Sequence, residues 1–275
     1  MAVVTISRQA GSLGDEVARE LAAELGYHLV TPQEMHQLAV GHDPSFAGAV
    51  KDLELDRGMG LLERLFFAQP VFTSLYAAVI LELASRGRTV IIGRGAQVVL
   101  KEVPGVVRAR VVAPTRVRAA RQAQALGLDL EEARRYLERH DAERRALVRQ
   151  IFDHDLRDWG LYNLVLNTEI MDLPGAVAII RQLVAEVLRL QPREEVSRRL
   201  SLMALGKRVE TMLRKEMLRS KVLEVNLSPE GALVLSGYLR SEAERQKAGQ
   251  LAVSLAGPVE VRNEIRATAF VGWPS

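Results

Sequence analysis

The sequence contains no cysteine, which excludes disulfides and any cysteine-ligated metal site and suits a reducing, cytoplasmic compartment. Charge of one sign is also scarce. With 37 basic against 34 acidic residues the net charge is +3, too little to point to general nucleic-acid binding. Long apolar runs are missing. The stretches at 75–84 and 176–188 are interrupted by Glu82 and by Arg181 and Glu186, so no transmembrane segment is expected. The N-terminus has neither the basic leader nor the cleavage pattern of a signal peptide. His28, His36, His42, His140 and His154 show no paired metal-ligand spacing, and no Gly-x-Ser-x-Gly context marks a nucleophile. What remains is a globular composition, 48% hydrophobic and 26% charged over 275 residues, enough for one large domain or two ordinary ones.

The order of elements can be read from the pattern. Residues 2–7 are a β-branched run of the buried-strand type, 8–14 a polar stretch with two glycines, and Asp15 opens a helix with Val17, Leu21 and Leu25 on one face. A glycine loop between strand and helix turns backbone N–H groups inward beside the positive helix end, which suits an anion. The same glycines also suit a tight turn with no ligand. Further strands are expected at 27–30, 89–92, 106–113 and 163–167. Helices are expected from Thr31-Pro32, over 74–85 and 172–190, and through the arginine-rich stretch 114–158, with short helices in an inserted segment at 40–68.

This alternation predicts an α/β fold, a parallel sheet covered by helices on both faces. Ligands then bind at the carboxyl ends of the strands, where the neighbourhoods of Gly11, Arg94 and Thr168 should converge. After the polar stretch 191–195 the pattern changes. A helix (202–218), two strands (222–227, 233–236), a serine-capped helix (241–255) and a closing strand (259–265) predict a small α+β unit of αββαβ order. The expected domains are 1–190 and 201–268, joined by a linker at 191–200.

Several motifs occur in order: VTISRQAGS at 4–12, IIGRGA at 91–96, VAPxxxR at 112–118, Asp141-x-x-Arg144, and YNLVLNT at 162–168. Together they resemble the cytidylate kinase-like family, P-loop nucleoside-monophosphate kinases. The resemblance implies a P-loop kinase fold with a monophosphate-binding insertion and an arginine-bearing lid. It also implies ATP- and Mg²⁺-dependent phosphoryl transfer to a nucleoside monophosphate such as CMP or dCMP. On this resemblance Gly11, Ser12 and Gly14 match the phosphate loop, and Arg94 matches the arginine near the monophosphate. Arg118, Arg121, Asp141 and Arg144 match the lid. Such chemistry rests on positioning and on neutralising phosphate oxygens, which arginine forks and Mg²⁺ supply.

The loop departs from the usual pattern. Gly14 stands where P-loop kinases carry lysine, and Asp15 and Glu16 stand where the hydroxyls would be. The family itself generally lacks the lysine and usually carries Gly-Gly-Arg, whereas this chain has Leu13-Gly14-Asp15. Arg8 is the nearest residue able to replace the lysine and joins Arg118, Arg121 and Arg144 as a candidate catalytic residue. Asn163 stands where the family prefers aspartate. The other arginines between 116 and 149 read as a solvated helical face, Asp141 suits either a helix cap or ligand positioning, and Phe66, Phe67, Phe72 and Tyr76 suit either core or insert packing or the flank of a nucleobase.

In the C-terminal unit, ALVLSG at 232–237 and GPVEVRN at 257–263 resemble a BON domain. That implies a module for protein, lipid or small-ligand contacts. Lys207, Arg208, Arg214, Lys215, Arg219 and Lys221 suit an anionic surface or an ordinary solvated helix face. The expected partners are ATP, a nucleoside monophosphate and a ligand of the C-terminal unit. Two other readings stay open, a non-catalytic nucleotide sensor and an interaction protein that kept the fold.

Overall fold

The computed structural model describes residues 2–44, 70–190, 193–217 and 223–267. Its first part is built on β1 (Val3–Arg8), β2 (His28–Val30), β3 (Thr89–Ile92), β4 (Val106–Val112) and β5 (Leu164–Asn167). All pairings are parallel, in the order β2-β3-β1-β4-β5. β1 and β3, in the middle of the sheet, are nearly continuous buried runs because both of their faces are covered.

Alternation along the strands divides the core in two. Val4, Ile6, Val90, Ile92, Val107 and Val111 pack on α1 (Gly14–Leu25) and α7 (Leu173–Leu190), through Val17, Leu21, Val177 and Ile180. Val3, Val30, Ile91 and Val106 face the opposite layer. There lie α2 (Pro32–His42), α3 (Pro70–Ser85), the short α4 (Ala96–Val99) and the end of α6 (Leu130–Phe152). The arginine-rich stretch is two helices, α5 (Thr115–Leu126) and α6, separated where Gly127 takes a left-handed conformation and Asp129 caps α6 through a capping box with Glu132. Most of the inserted segment at 40–68 lies outside the described residues.

Helix α3 is apolar around its whole circumference, so it needs cover on every side. The sheet supplies one side and α8 (Arg193–Glu216) another. Val196, Leu200 and Ala204 of α8 join the same core as Tyr76, Ile80 and Leu83. The two helices run antiparallel: Ser197 Oγ donates to the Ser85 carbonyl at 3.1 Å, and Arg214 Nη1 donates to that of Pro70 at 2.7 Å. The polar stretch expected as a linker is therefore, from Arg193 onward, the opening of this helix.

The second half of α8 serves another core. Val209 and Leu213 pack with Leu223 and Val225 of β6 (Leu223–Leu227), Leu233 and Leu235 of β7 (Leu233–Leu239), and Ala248 and Ala252 of α9 (Glu242–Ala256). β6 pairs antiparallel to β7, while β8 (Val261–Asn263) and β9 (Arg266–Ala267) pair parallel to it. Much of the basic cluster is engaged internally. Lys207 and Arg214 hold the buried Glu210 carboxylate at 2.7 and 3.0 Å, and Lys215 reaches Asp43 at 2.6 Å. Arg208 is exposed, and Arg219 and Lys221 lie outside the described residues. Among the described residues, no helix is long and apolar enough to cross a membrane.

Candidate active site

Beyond β1 the chain turns through Gly11, at φ +70°, and Leu13, at φ 66°, into α1. A left-handed leucine is an uncommon conformation, of the kind that collects at functional loops. No side chain caps α1, so the first N–H groups of the helix remain for an anion.

Arg8, at the end of β1, lies across this loop. A Cβ on Gly14 would overlap the Arg8 stem, and one on Gly93 would overlap its Nη1. The glycine in the lysine position thus makes room for the arginine. Arg8 Nε and Nη2 meet Asp15 Oδ1 at 3.0 and 2.9 Å. Arg8 is 12% and Asp15 42% exposed, so water reaches the carboxylate end of the pair and screens it. A phosphate can therefore compete for Arg8 at little cost.

Arg118 and Asp141 are committed differently. Their ion pair, Nη1 to Oδ2 at 2.8 Å, is buried, and together they hold both backbone polar groups of one loop residue, Ala10. Asp141 Oδ1 accepts from the Ala10 N–H at 3.0 Å, and Arg118 Nη1 donates to the Ala10 carbonyl at 3.0 Å. On the other flank Arg121 donates to the Thr168 hydroxyl and carbonyl at 3.0 and 2.6 Å, and Thr168 Oγ1 donates to the Ser12 carbonyl at 2.9 Å. Ser12 is fully buried, with its hydroxyl donating to the carbonyls of Gln9 and Val111 at 2.9 and 3.1 Å. Arg118, Arg121, Asp141, Thr168 and Ser12 thus brace the loop from behind.

In front of the loop lies a cleft of about 480 Å³ at the carboxyl ends of β1 and β3. Arg8, Arg94 and Arg144 line it, with Ser7, Thr31, Gln33, Gln97 and the apolar Leu147, Val148 and Leu156. Arg94 is held at φ 56° between two left-handed glycines, Gly93 and Gly95; a Cβ on Gly95 would enter the Phe152 ring. Below the cleft Arg110 is buried in β4, donating to Ser7 Oγ at 2.8 Å and to the Tyr162 hydroxyl at 3.2 Å.

Behind Arg94 sit His36 and Tyr76, with ring centroids 6.0 Å apart. Burial, with the Arg94 charge adding to it, pushes the His36 imidazole down to about 3. Burial drives the Tyr76 phenol up to about 12 against the opposing pull of Arg94. Both rings are neutral at physiological pH.

Of the residues singled out in sequence, Arg8, Arg94 and Arg144 meet in the cleft, while Gly14 makes room for Arg8 and Gly11 lies against Arg118 and Leu137. Arg118, Arg121, Asp141 and Ser12 stand behind the loop. Gln97, Arg110 and His36 carried no local signal, because a polar residue on an apolar element gains meaning only from what folds against it.

Mg²⁺ bound with ATP takes most of its ligands from phosphate and water and needs one or two protein oxygens. With the Ser12 hydroxyl turned inward, the oxygen that fits this need at the mouth of the loop is the Asp15 carboxylate, whose Oδ1 is held by Arg8. Among the described residues, no cluster of three or more His, Asp or Glu side chains could hold a metal without such a ligand.

A model of the cytidylate kinase-like family matches residues 3–170, and a BON-domain model matches residues 205–269. A cytidylate kinase of Pyrococcus horikoshii is 26% identical over 182 residues, covering 65% of this chain and 86% of that protein. A cytidylate kinase of Pyrococcus abyssi is 27% identical over 182 residues, covering 65% and 91%. Among solved structures, an uncharacterized protein from Eubacterium ventriosum aligns with a TM-score of 0.53 at 18% identity, over 67% of this chain and 99% of that one.

Proposed function

The chain belongs to the cytidylate kinase-like family and carries a C-terminal BON domain, and from that premise we propose that it transfers a phosphoryl group from ATP to a nucleoside monophosphate, CMP or dCMP first among them. The observation that carries this reading is the convergence of Arg8, Arg94 and Arg144 on one cleft beside an uncapped helix N-terminus.

Phosphoryl transfer asks the protein to align two charged partners and to neutralise the oxygens between them. The loop N–H groups and Arg8 would hold the donor phosphates, with Arg8 leaving Asp15 as it does so. Asp15, released, is the carboxylate that would hold Mg²⁺, which when bound neutralises charge on the phosphate oxygens. Arg94 would hold the acceptor phosphate, and Arg144, from α6, the transferring group. Arg118, Asp141 and Arg121 are positioning residues in this reading: a loop clamped at Ala10 and Ser12 keeps its donors aimed without reorganisation. The BON domain would serve regulation or binding.

A second reading, a nucleotide sensor without turnover, draws on the Arg8–Asp15 pair and on the inward Ser12 hydroxyl. ATP consumption with a panel of monophosphates and Mg²⁺ separates the two. Turnover with one monophosphate supports the kinase. Thermal stabilisation by nucleotide without turnover supports the sensor, and no response in either assay removes both.

A further inference from the structure

Gln97 sits in the first turn of α4, on the wall of the cleft, and is 1% exposed. Neither Nε2 nor Oε1 of its amide has a hydrogen-bond partner. A buried polar group left without a partner costs about 1–3 kcal/mol, and folded proteins retain few of them. Gln97 has company. Both ring nitrogens of His36 and the Tyr76 hydroxyl are also buried without partners, and Arg94 acts electrostatically on both rings. Three helices, α2, α3 and α4, therefore each bring an unsatisfied polar side chain to the region of Arg94. Of the three, Gln97 is the one that lines the ligand-sized cleft.

We propose that Gln97 reads the uncharged end of the acceptor by giving one hydrogen bond to its nucleobase and taking one from it, while Arg94 holds the phosphate. The inference rests on the reading of this cleft as the acceptor site. Phosphate accepts only, so it leaves the Oε1 half of an amide unused. A base edge presents a donor beside an acceptor, the match that lets glutamine bind a base with two hydrogen bonds. Because the amide has no protein partner, a base makes both bonds without breaking any. A ligand that lacks this edge leaves the amide buried and unpaired, and such an arrangement gives polar sites their large discrimination. The amide can turn over. It therefore accepts cytosine or adenine, with an amino group beside a ring nitrogen, and also uracil, with a carbonyl beside an N–H.

Calorimetric titration of the full-length protein with CMP, AMP, UMP and ribose 5-phosphate tests this, together with Gln97→Leu and Gln97→Glu. The wild type is expected to bind one or more of the base-bearing ligands more tightly than ribose 5-phosphate. In Gln97→Leu that binding should weaken about ten- to a hundredfold, the loss of one or two bonds to a buried group, with ribose 5-phosphate affinity unchanged. The melting temperature of ligand-free Gln97→Leu should match or exceed that of the wild type, since an unpaired amide has been removed. Gln97→Glu, an acceptor only, keeps the bond from each base's donor and sets an oxygen against its acceptor, so it should weaken CMP, AMP and UMP alike. Unchanged nucleotide affinity in Gln97→Leu overturns the proposal, as does an equal loss for ribose 5-phosphate. Wild-type binding of ribose 5-phosphate as tight as of any nucleotide keeps the acceptor cleft but overturns the role of Gln97. No binding of any of the four by the wild type overturns the acceptor reading itself, and this inference with it.

Discussion

Arg8 and Arg118 are both arginines paired with aspartates, yet burial gives the pairs opposite uses. Arg8 is 12% exposed but faces an aspartate that is 42% exposed, whereas Arg118 is 6% and Asp141 11% exposed. Arg8→Ala strands no buried charge, because Asp15 stays open to water, and should therefore cost less folding stability than loss of Asp141 while nucleotide affinity collapses. Asp141→Asn leaves a buried guanidinium uncompensated and should cost about 3–5 kcal/mol, loosening the loop with it. Urea denaturation and ATP titration on the two variants check this. A stability loss in the first as large as in the second, or retained nucleotide affinity in the first, would contradict the assignment. His36 gives a pH dependence with a definite sign. Its folded value of about 3 lies below the ordinary 6.5, so the unfolded chain takes up a proton that the folded one refuses. The contribution is complete above pH about 6.5 and falls away by about 1.4 kcal/mol per unit on acidification toward 3. The charged group acting on it is Arg94, with neutral Tyr76 alongside. His36→Leu should remove that slope between about pH 6 and 4.5, measured as unfolding free energy against pH.

At the scale of elements, the glycines carry the site as much as the charges do. Gly95 stands at φ +79°, and its missing Cβ is where the Phe152 ring lies. Gly95→Ala should thus combine backbone strain of about 1–3 kcal/mol with displacement of α6, and Arg144 on that helix moves too. Calorimetric stability and monophosphate affinity should fall together; a loss of neither would show that the two segments are not coupled. The strands were legible because each is a short run, β-branched in β1 and β3, between polar breaks, and α1 because its apolar spacing has the helical period. Helix α4 was not. Four residues following Gly-Arg-Gly are too short to show a period, and the φ values that make the turn are tertiary facts.

Across the whole molecule, α8 changes how the two domains relate. Its first half supplies Val196 and Leu200 to the kinase-like core and its second half Val209 and Leu213 to the BON core. A shared rigid helix predicts shared unfolding. Leu200→Ala, a fully buried residue, should cost about 2–5 kcal/mol and lower a single calorimetric transition for both domains. A variant whose BON domain melts separately at an unchanged temperature would mean that the helix does not transmit. Lys215 to Asp43 adds a second link, from the end of α8 to the end of α2, the helix that carries His36.

The sequence by itself determined the α/β order, the glycine loop without lysine, the arginines at 8, 94 and 144, and the composition of the C-terminal unit. Each of these is local, a period, a dipeptide or a spacing that short-range sterics and amphipathicity impose. Only the tertiary structure decided which arginines face a cleft and which brace the loop, since the same guanidinium is a ligand or a strut according to the groups beside it. It also made the stretch after Gln191-Pro192 a helix rather than a linker, because α3 is apolar all round and needs a partner that its own neighbours in sequence do not supply. Glycine at position 14 is the clearest case of both. Its identity could be read as a missing lysine, and its reason, room for the Arg8 side chain, appeared only when β1 and α1 were folded against each other.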